Sequence, residues 1–206
     1  MILVLGGSGY VGSEIVRRLA NHGVPHCPLS RGDCDYYDAA QLGALIEQTS
    51  ASFLINAAGF VGQPNVDACE RQRTECLLGN AVLPGIIKQV CENASLPWGH
   101  VSTGCIFTEP APRESGFQET DPPNFCFRHD NCSFYSGSKA LGEELLGDAP
   151  QCYIWRLRMP FHHRDHPKNF LSKMIRYDRL VDARNSLTHL EDFARLCLEC
   201  WERRLP

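Results

Sequence analysis

The sequence predicts an α/β domain built on a doubly wound parallel sheet. Strand-sized apolar runs alternate with amphipathic helical segments over the first 110 residues. The first run passes directly into a glycine cluster, Gly6-Gly7-Ser8-Gly9-Tyr10-Val11-Gly12. The apolar runs stay far below the roughly 20 residues that a membrane-spanning helix needs.

Ile2 to Leu5 is all apolar and ends in glycines, as a buried parallel strand does. Ser13 to Ala20 places Ile15, Val16 and Leu19 on one face and closes near Gly23, which predicts a short amphipathic helix. Val24 to Leu29 reads as the second strand, Ala39 to Gln48 as a helix and Ser52 to Asn56 as the third strand. Thr74 to Glu92 predicts one long helix with Leu77, Leu78, Ala81, Ile86, Ile87 and Val90 as its apolar positions. Strand His100 to Phe107, helix Ser136 to Leu146 and strand Cys152 to Met159 follow, joined by right-handed crossovers. Glu109 to Ser133, with prolines 110, 112, 122 and 123, predicts a loop of a length that is usually functional or disordered. A second irregular stretch, Phe161 to Lys168, holds three histidines. Helix Phe170 to Arg176, a short strand at Leu180-Val181 and a last helix from Thr188 to Arg203 complete the chain. The expected division is residues 1–160 as one domain and 161–206 as a small lobe.

With 206 residues, 43% of them hydrophobic, the chain suits one domain with a small appendage. A net charge of -4 without a basic run argues against nucleic-acid binding and polybasic membrane docking. Met1-Ile-Leu-Val-Leu lacks the basic start and the length of a secretory signal. Eleven scattered cysteines, an odd number, then fit reduced thiols in the cytoplasm better than a disulfide framework. Asn93 and Asn131 head N-x-S triplets that mean nothing without secretion. No metal is expected: Cys197 and Cys200 form a lone CxxC, and His162, His163, Asp165 and His166 have no partner cluster in the sequence.

The glycines carry the first chemistry. Gly6, Gly9 and Gly12 lie between a strand and a helix, with Tyr10 and Val11 opening that helix. Glycine there allows a tight turn and close approach to a pyrophosphate, which meets the positive end of the helix; this is a Rossmann-type dinucleotide loop. Ser30-Arg31 ends the second strand, with Asp33 and Asp35 beyond it. An arginine there accommodates the 2′-phosphate of NADP(H), so NADPH is expected over NADH, although Asp35 also falls within reach of the ribose. Tyr135 and Lys139 stand one helical turn apart, where an ammonium favours the phenolate. Ser102-Thr103 ends the fourth strand, where α/β sheets place their ligands. Hydroxyl, Tyr–Lys pair and nucleotide loop together make a ketone-reducing site.

These residues resemble the extended short-chain dehydrogenase/reductases, which also carry Asn56-Ala57-Ala58-Gly59 after the third strand and Asn80 in the next helix. The resemblance implies that Ala57, Ala58 and Gly59 line the cofactor and that Asn80 supports a proton relay to Lys139. Longer blocks are similar to one group within that family: Asn56 to Glu70, Ser102 to Phe107, Gly116 to Phe125, Arg156 to Pro160, Asn169 to Tyr177 and Asn185 to Thr188. The group is the bifunctional nucleotide-rhamnose synthases, also found as the C-terminal part of plant rhamnose synthases. It implies conversion of UDP- or dTDP-4-keto-6-deoxyglucose to the L-rhamnose nucleotide, by C3/C5 epimerisation and NADPH-dependent reduction at C4. Thr103, Tyr135 and Lys139 are then the reducing set. Inversion passes through an enolate and needs an acid and a base aimed at the ring; the resemblance implies Cys105 and Lys173. A thiol needs a cationic neighbour to ionise at neutral pH, and Lys173 or Lys139 could supply it.

Gln63 and Asn65, after the third strand, and Asn169 are candidate sugar-nucleotide contacts, and Asp67 accompanies the first two. A homodimer and an upstream 4,6-dehydratase are the candidate protein partners. The alternatives are a reductase without epimerisation, a GDP-linked keto sugar, and a non-catalytic NADP-binding subunit like the regulatory partner of methionine adenosyltransferase. The intact Thr103, Tyr135, Lys139 and Cys105 set argues against the last. Two departures stand out. Members of the group usually continue further and complete the sugar-binding lobe, so the resemblance implies a fragment, a truncated lobe over 161–206, or a lobe supplied by a partner. Cys126 to Ser133 also reads as an insertion before the tyrosine.

Overall fold

The computed structural model describes residues 1–109, 114–147, 149–180, 182 and 185–204. Ile2–Leu5 (β1), His26–Leu29 (β2), Phe53–Asn56 (β3), Trp98–Thr103 (β4) and Cys152–Leu157 (β5) form one parallel sheet in the order β2-β1-β3-β4-β5. The winding reverses between β1 and β3, and in such sheets the crevice beyond the carboxyl ends there takes the ligand. Leu5 pairs with Asn56 and Asn56 with His100, so β4 runs three residues past β3 and ends at Thr103.

Strand alternation splits the core into two layers. Leu3, Leu5, Leu54 and Trp98 face Ala39–Thr49 (α2), Leu83–Asn93 (α4) and Phe134–Leu146 (α5) through Leu42, Ile46, Leu83, Ile87, Val90 and Leu146. Ile2, Val4, Phe53 and Ile55 face Tyr10–Asn21 (α1) and Leu190–Glu202 (α7) through Ile15, Leu19, Phe193, Ala194, Cys197 and Leu198. The last helix therefore packs into the main core, with Cys197 as a buried core residue. Trp155 lies on the same layer with Phe53, Tyr153 and Trp201.

The structure departs from the sequence reading at four places. The helix expected over 74–92 is broken into Arg73–Leu77 (α3), a wide π turn over Leu78–Val82 and α4. Pro84 has no N–H to give the carbonyl of Asn80 four residues back, so the regular ladder cannot run through. Beyond Thr103 the chain turns into a 3-10 segment, Gly104–Ile106, because the Thr103 hydroxyl accepts the Cys105 N–H at 3.1 Å. Leu180 is not in a strand, and Val181 lies outside the described residues. Pro160–Phe161 (β6) instead pairs in parallel with Thr188–His189 (β7), so α7 begins at Leu190 and not at Thr188. Phe170–Arg176 forms α6, as expected.

The Cys126–Ser133 insertion docks on α5. Phe127 lies against Gly137, where a Cβ would sit 2.2 Å from its ring, and Arg128 pairs with Glu144 at 2.8 Å.

Gly99 is required in a similar way, since its Cβ would lie 2.0 Å from the Trp155 ring, which Phe53, Tyr153 and Val101 hold in place. Gly99→Ala is expected to lower unfolding free energy by about 1–3 kcal/mol through overpacking, read by urea denaturation. An unchanged midpoint contradicts this packing.

Candidate active site

The glycine loop is shaped by backbone contacts. Gly6 has φ +71°, and a Cβ on it would stand 2.8 Å from the Ala58 nitrogen. A Cβ on Gly12 would stand 2.2 Å from the Gly6 carbonyl, so α1 can begin at Tyr10 only with glycine at that place. Gly9 caps α1 without a side-chain bond, and no acidic residue lies in its first turn. The N-terminal N–H groups of α1 are thus open to an anion, and the positive helix end faces the crevice. The buried Tyr10 hydroxyl has no partner among the described residues, and the Tyr10 ring stacks on His166 at 4.5 Å. Burial, then Glu14, pushes this phenol up to about 12. At the end of β2, the Ser30 N–H and hydroxyl both donate to Asp33, at 2.8 and 2.6 Å. Asp35 accepts the Tyr37 N–H, and Arg31 stands exposed. A Cβ-free turn, open helix donors, an orphaned hydroxyl and an exposed arginine suit a dinucleotide carrying an extra phosphate.

Thr103, Cys105 and Tyr135 meet at the end of β4. Thr103 and Cys105 both act on Tyr135: its phenol is pushed up chiefly by burial and next by Cys105, with the Thr103 hydroxyl opposing. One turn along, Lys139 is almost fully buried and donates to the Val101 carbonyl at 3.0 Å. Burial pulls its amine down to about 8, while Glu143 and Cys76 push the other way.

α5 is held from three sides. Its Glu143 carboxylate accepts two bonds from Arg156 Nε at 3.1 Å, one from Nη2 at 2.7 Å, and the Ser102 hydroxyl. The N–H of Phe134 donates to Glu70 at 2.7 Å. Asn80 clamps the segment after Gly59: its Oδ1 accepts the Phe60 N–H, and its Nδ2 donates to the Phe60 carbonyl and to Ser138. The Asn80 carbonyl, freed by Pro84, packs where a Gly142 Cβ would stand 2.1 Å away. Sequence reasoning missed Glu143, Arg156, Glu70, Ser138 and His100. Glu143 carried a signal, since positions 135, 139 and 143 share one helical face.

The remaining candidates are placed as follows. Val11 packs into the α1 layer of the core and Ala57 beside it. Lys173 is half-buried on α6, which packs against β6. Gln63 and Asn65 are exposed beyond β3, and Asn65 accepts the Asp67 N–H. Asn169 is buried with its amide engaged: it accepts from His162 and Leu171 N–H and donates to the His162 and Arg164 carbonyls. It organises the 162–169 loop and caps α6. Among the described residues, His162, His163 and Glu191 bring ligand atoms within 4.8 Å of one another. His162 Nδ1 accepts the Arg164 N–H at 3.0 Å, so the neutral ring carries its proton on Nε2, which faces Glu191 at 3.1 Å. Arg17 bonds both Glu14 and Glu191. The metal-facing lone pair is thus absent, and the group is an ion-pair cluster fastening α1, this loop and α7.

Burying Lys139 has a measurable pH signature. Its folded amine binds a proton less readily than the unfolded one, so wild-type stability rises with pH from about 8 to the ordinary 10.5. Lys139→Met removes this titration. Its stability relative to wild type is expected to fall by ~3 kcal/mol across that window, read by denaturation at several pH values. A pH-independent difference contradicts a buried, low-affinity amine.

Residues 1–196 match the RmlD substrate binding domain family. A trifunctional UDP-glucose 4,6-dehydratase/UDP-4-keto-6-deoxy-D-glucose 3,5-epimerase/UDP-4-keto-L-rhamnose-reductase of Arabidopsis thaliana is 34% identical, over 98% of this chain and 30% of that protein. A bifunctional dTDP-4-dehydrorhamnose 3,5-epimerase/dTDP-4-dehydrorhamnose reductase of the same plant is 33% identical, over 98% of this chain and 66% of that one. The chain therefore spans less than a third of the first relative and about two thirds of the second. Among solved structures, a UDP-rhamnose synthase from Acanthamoeba polyphaga mimivirus superposes with TM-score 0.89 at 22% identity, over 99% of this chain and 71% of that one. The likeness shows that the fold is shared. Since the matched region runs from β1 into α7 and takes in the glycine loop, Thr103, Tyr135 and Lys139, the chain belongs to the RmlD substrate-binding domain family.

Proposed function

We propose that the chain reduces the C4 ketone of a nucleotide-linked 4-keto-6-deoxysugar with NADPH, and epimerises the sugar at C3 and C5 beforehand. The observation that carries this reading is Tyr135 beside Thr103 and Cys105 at the end of β4, with Lys139 one helical turn along and bonded to Val101 of the same strand. The names of the relatives point to UDP- or dTDP-linked sugars as the substrate class. Arg31 and the open end of α1 bind the phosphates of the cofactor, and Ala57, Ala58 and Gly59 line its other side. Residues 161–206 contribute part of the sugar-nucleotide lobe, although α7 is built into the main core.

Bound NADPH supplies hydride to C4. The Thr103 hydroxyl polarises the carbonyl oxygen, and the Tyr135 phenol gives that oxygen its proton. Burial keeps this phenol protonated before the reaction, which suits a donor. The Lys139 ammonium one turn away stabilises the phenolate left behind, and Asn80 holds the helix that positions both. In the epimerisation, a proton leaves the carbon next to the ketone, the enolate oxygen is held by the same hydroxyls, and a proton returns on the opposite face. Cys105, adjoining Tyr135, and Lys173 serve as the acid–base pair. Gln63, Asn65 and the Asn169-organised loop border the sugar nucleotide.

Incubation with UDP-4-keto-6-deoxyglucose and NADPH in deuterated water tests both halves. Nicotinamide absorbance is expected to fall and the product to hold two carbon-bound solvent deuterons, at C3 and C5. Cys105→Ser is expected to lose the deuterium. Oxidation without deuterium in wild type leaves a plain reductase, and no oxidation overturns the reading.

A further inference from the structure

β4 buries a titratable ring that the chemistry above leaves unused. His100 is fully buried, with Nδ1 3.0 Å from Asn56 Nδ2 and Nε2 3.4 Å from Lys139 Nζ. The orientation of Asn56 is set by its Oδ1, which accepts the Ala58 N–H at 3.1 Å. Its Nδ2 can only donate, so His100 Nδ1 must accept, and the neutral ring carries its proton on Nε2, aimed at Lys139. Burial, with the Lys139 charge second, holds His100 well below its ordinary pKa and so keeps it neutral. An N–H aimed at an amine opposes the ammonium and donates to the lone pair of the neutral form. The other groups acting on this lysine are Glu143 on α5 and Cys76 on α3, with Glu143 itself paired to Arg156 of β5.

We propose that His100 is a positioning residue, which Asn56 locks in the Nε2–H form so that it sets the pose and protonation state of Lys139. The chain Ala58–Asn56–His100–Lys139 thereby ties the segment that lines the cofactor to the amine beneath Tyr135. Its part in catalysis rests on the reductase reading, whereas the hydrogen-bonded chain does not.

The test is NMR on the full chain labelled in histidine and lysine. Two-bond nitrogen–proton correlations are expected to show His100 as the neutral Nε2–H tautomer between about pH 6 and 9, with the Lys139 side-chain signals titrating near 8. Asn56→Asp gives Nδ1 an acceptor, moves the ring proton there and turns the Nε2 lone pair to the ammonium. The Lys139 midpoint is then expected to rise by about one pH unit or more. His100→Phe removes the opposing N–H and is expected to shift the midpoint the same way. An Nδ1–H ring in wild type, or a midpoint unmoved in both variants, overturns the proposal. Wild type that shows the tautomer and the shift yet never oxidises NADPH overturns the reductase reading alone.

Discussion

The candidate site depends on one buried carboxylate. Glu143 is drawn into the protein by Arg156 of β5 and Ser102 of β4, and the Arg156 guanidinium also reaches the Glu119 carbonyl and lies over the Phe107 ring. A lone buried charge is costly, but a bidentate guanidinium plus a hydroxyl satisfies it and gives the contact one geometry. Because Tyr135, Lys139 and Glu143 follow at four-residue steps, pinning the third sets the height and rotation of the other two. The same arginine fastens the loop after β4 through Glu119, so α5 and this loop share one anchor.

Around that anchor, backbone approaches the site more closely than side chains allow. The glycine loop touches the Ala57–Ala58 segment at Gly6, and α5 meets the Asn80 carbonyl at Gly142. These contacts press the glycine loop and α5 onto neighbouring strand ends, β1, β3 and β4. The polar residues on the α5 side of the sheet have partners to match. His100 meets Lys139, Ser102 meets Glu143, and Asn56 joins His100 to Ala58. Burial of each is tolerated because each has a hydrogen-bonded neighbour.

Most of the fold was legible in the sequence. Alternation of short apolar runs with amphipathic stretches reports burial on both faces, so β1, β3 and the helices between them followed directly. The breaks were harder. Pro84 signalled an interrupted ladder, yet the apolar spacing on either side read as one helix. Thr188-His189 joined β7 because β6 lies beside it, and a two-residue pairing leaves no period to detect. Within the site, Thr103, Tyr135 and Lys139 were legible by type and spacing. The side chains that orient them were not, since Arg156 and Glu143 meet only through the packing of α5 on the sheet. Besides the shared face of positions 135, 139 and 143, His100 and Ser102, polar at alternate positions of an interior strand, held a hint: buried polar side chains require partners.

The central claim is that Tyr135, set by α5 against Thr103, completes a ketone-reducing site. Its most direct test is the fate of a labelled hydride. With NADPH deuterated at the transferable nicotinamide position, the product of a nucleotide 4-keto-6-deoxysugar should carry one deuterium at C4. Tyr135→Phe should slow that transfer by about 10²–10⁴-fold with cofactor binding retained. Transfer at an undiminished rate without the phenol, or a C4 hydrogen that comes from water, would contradict the account.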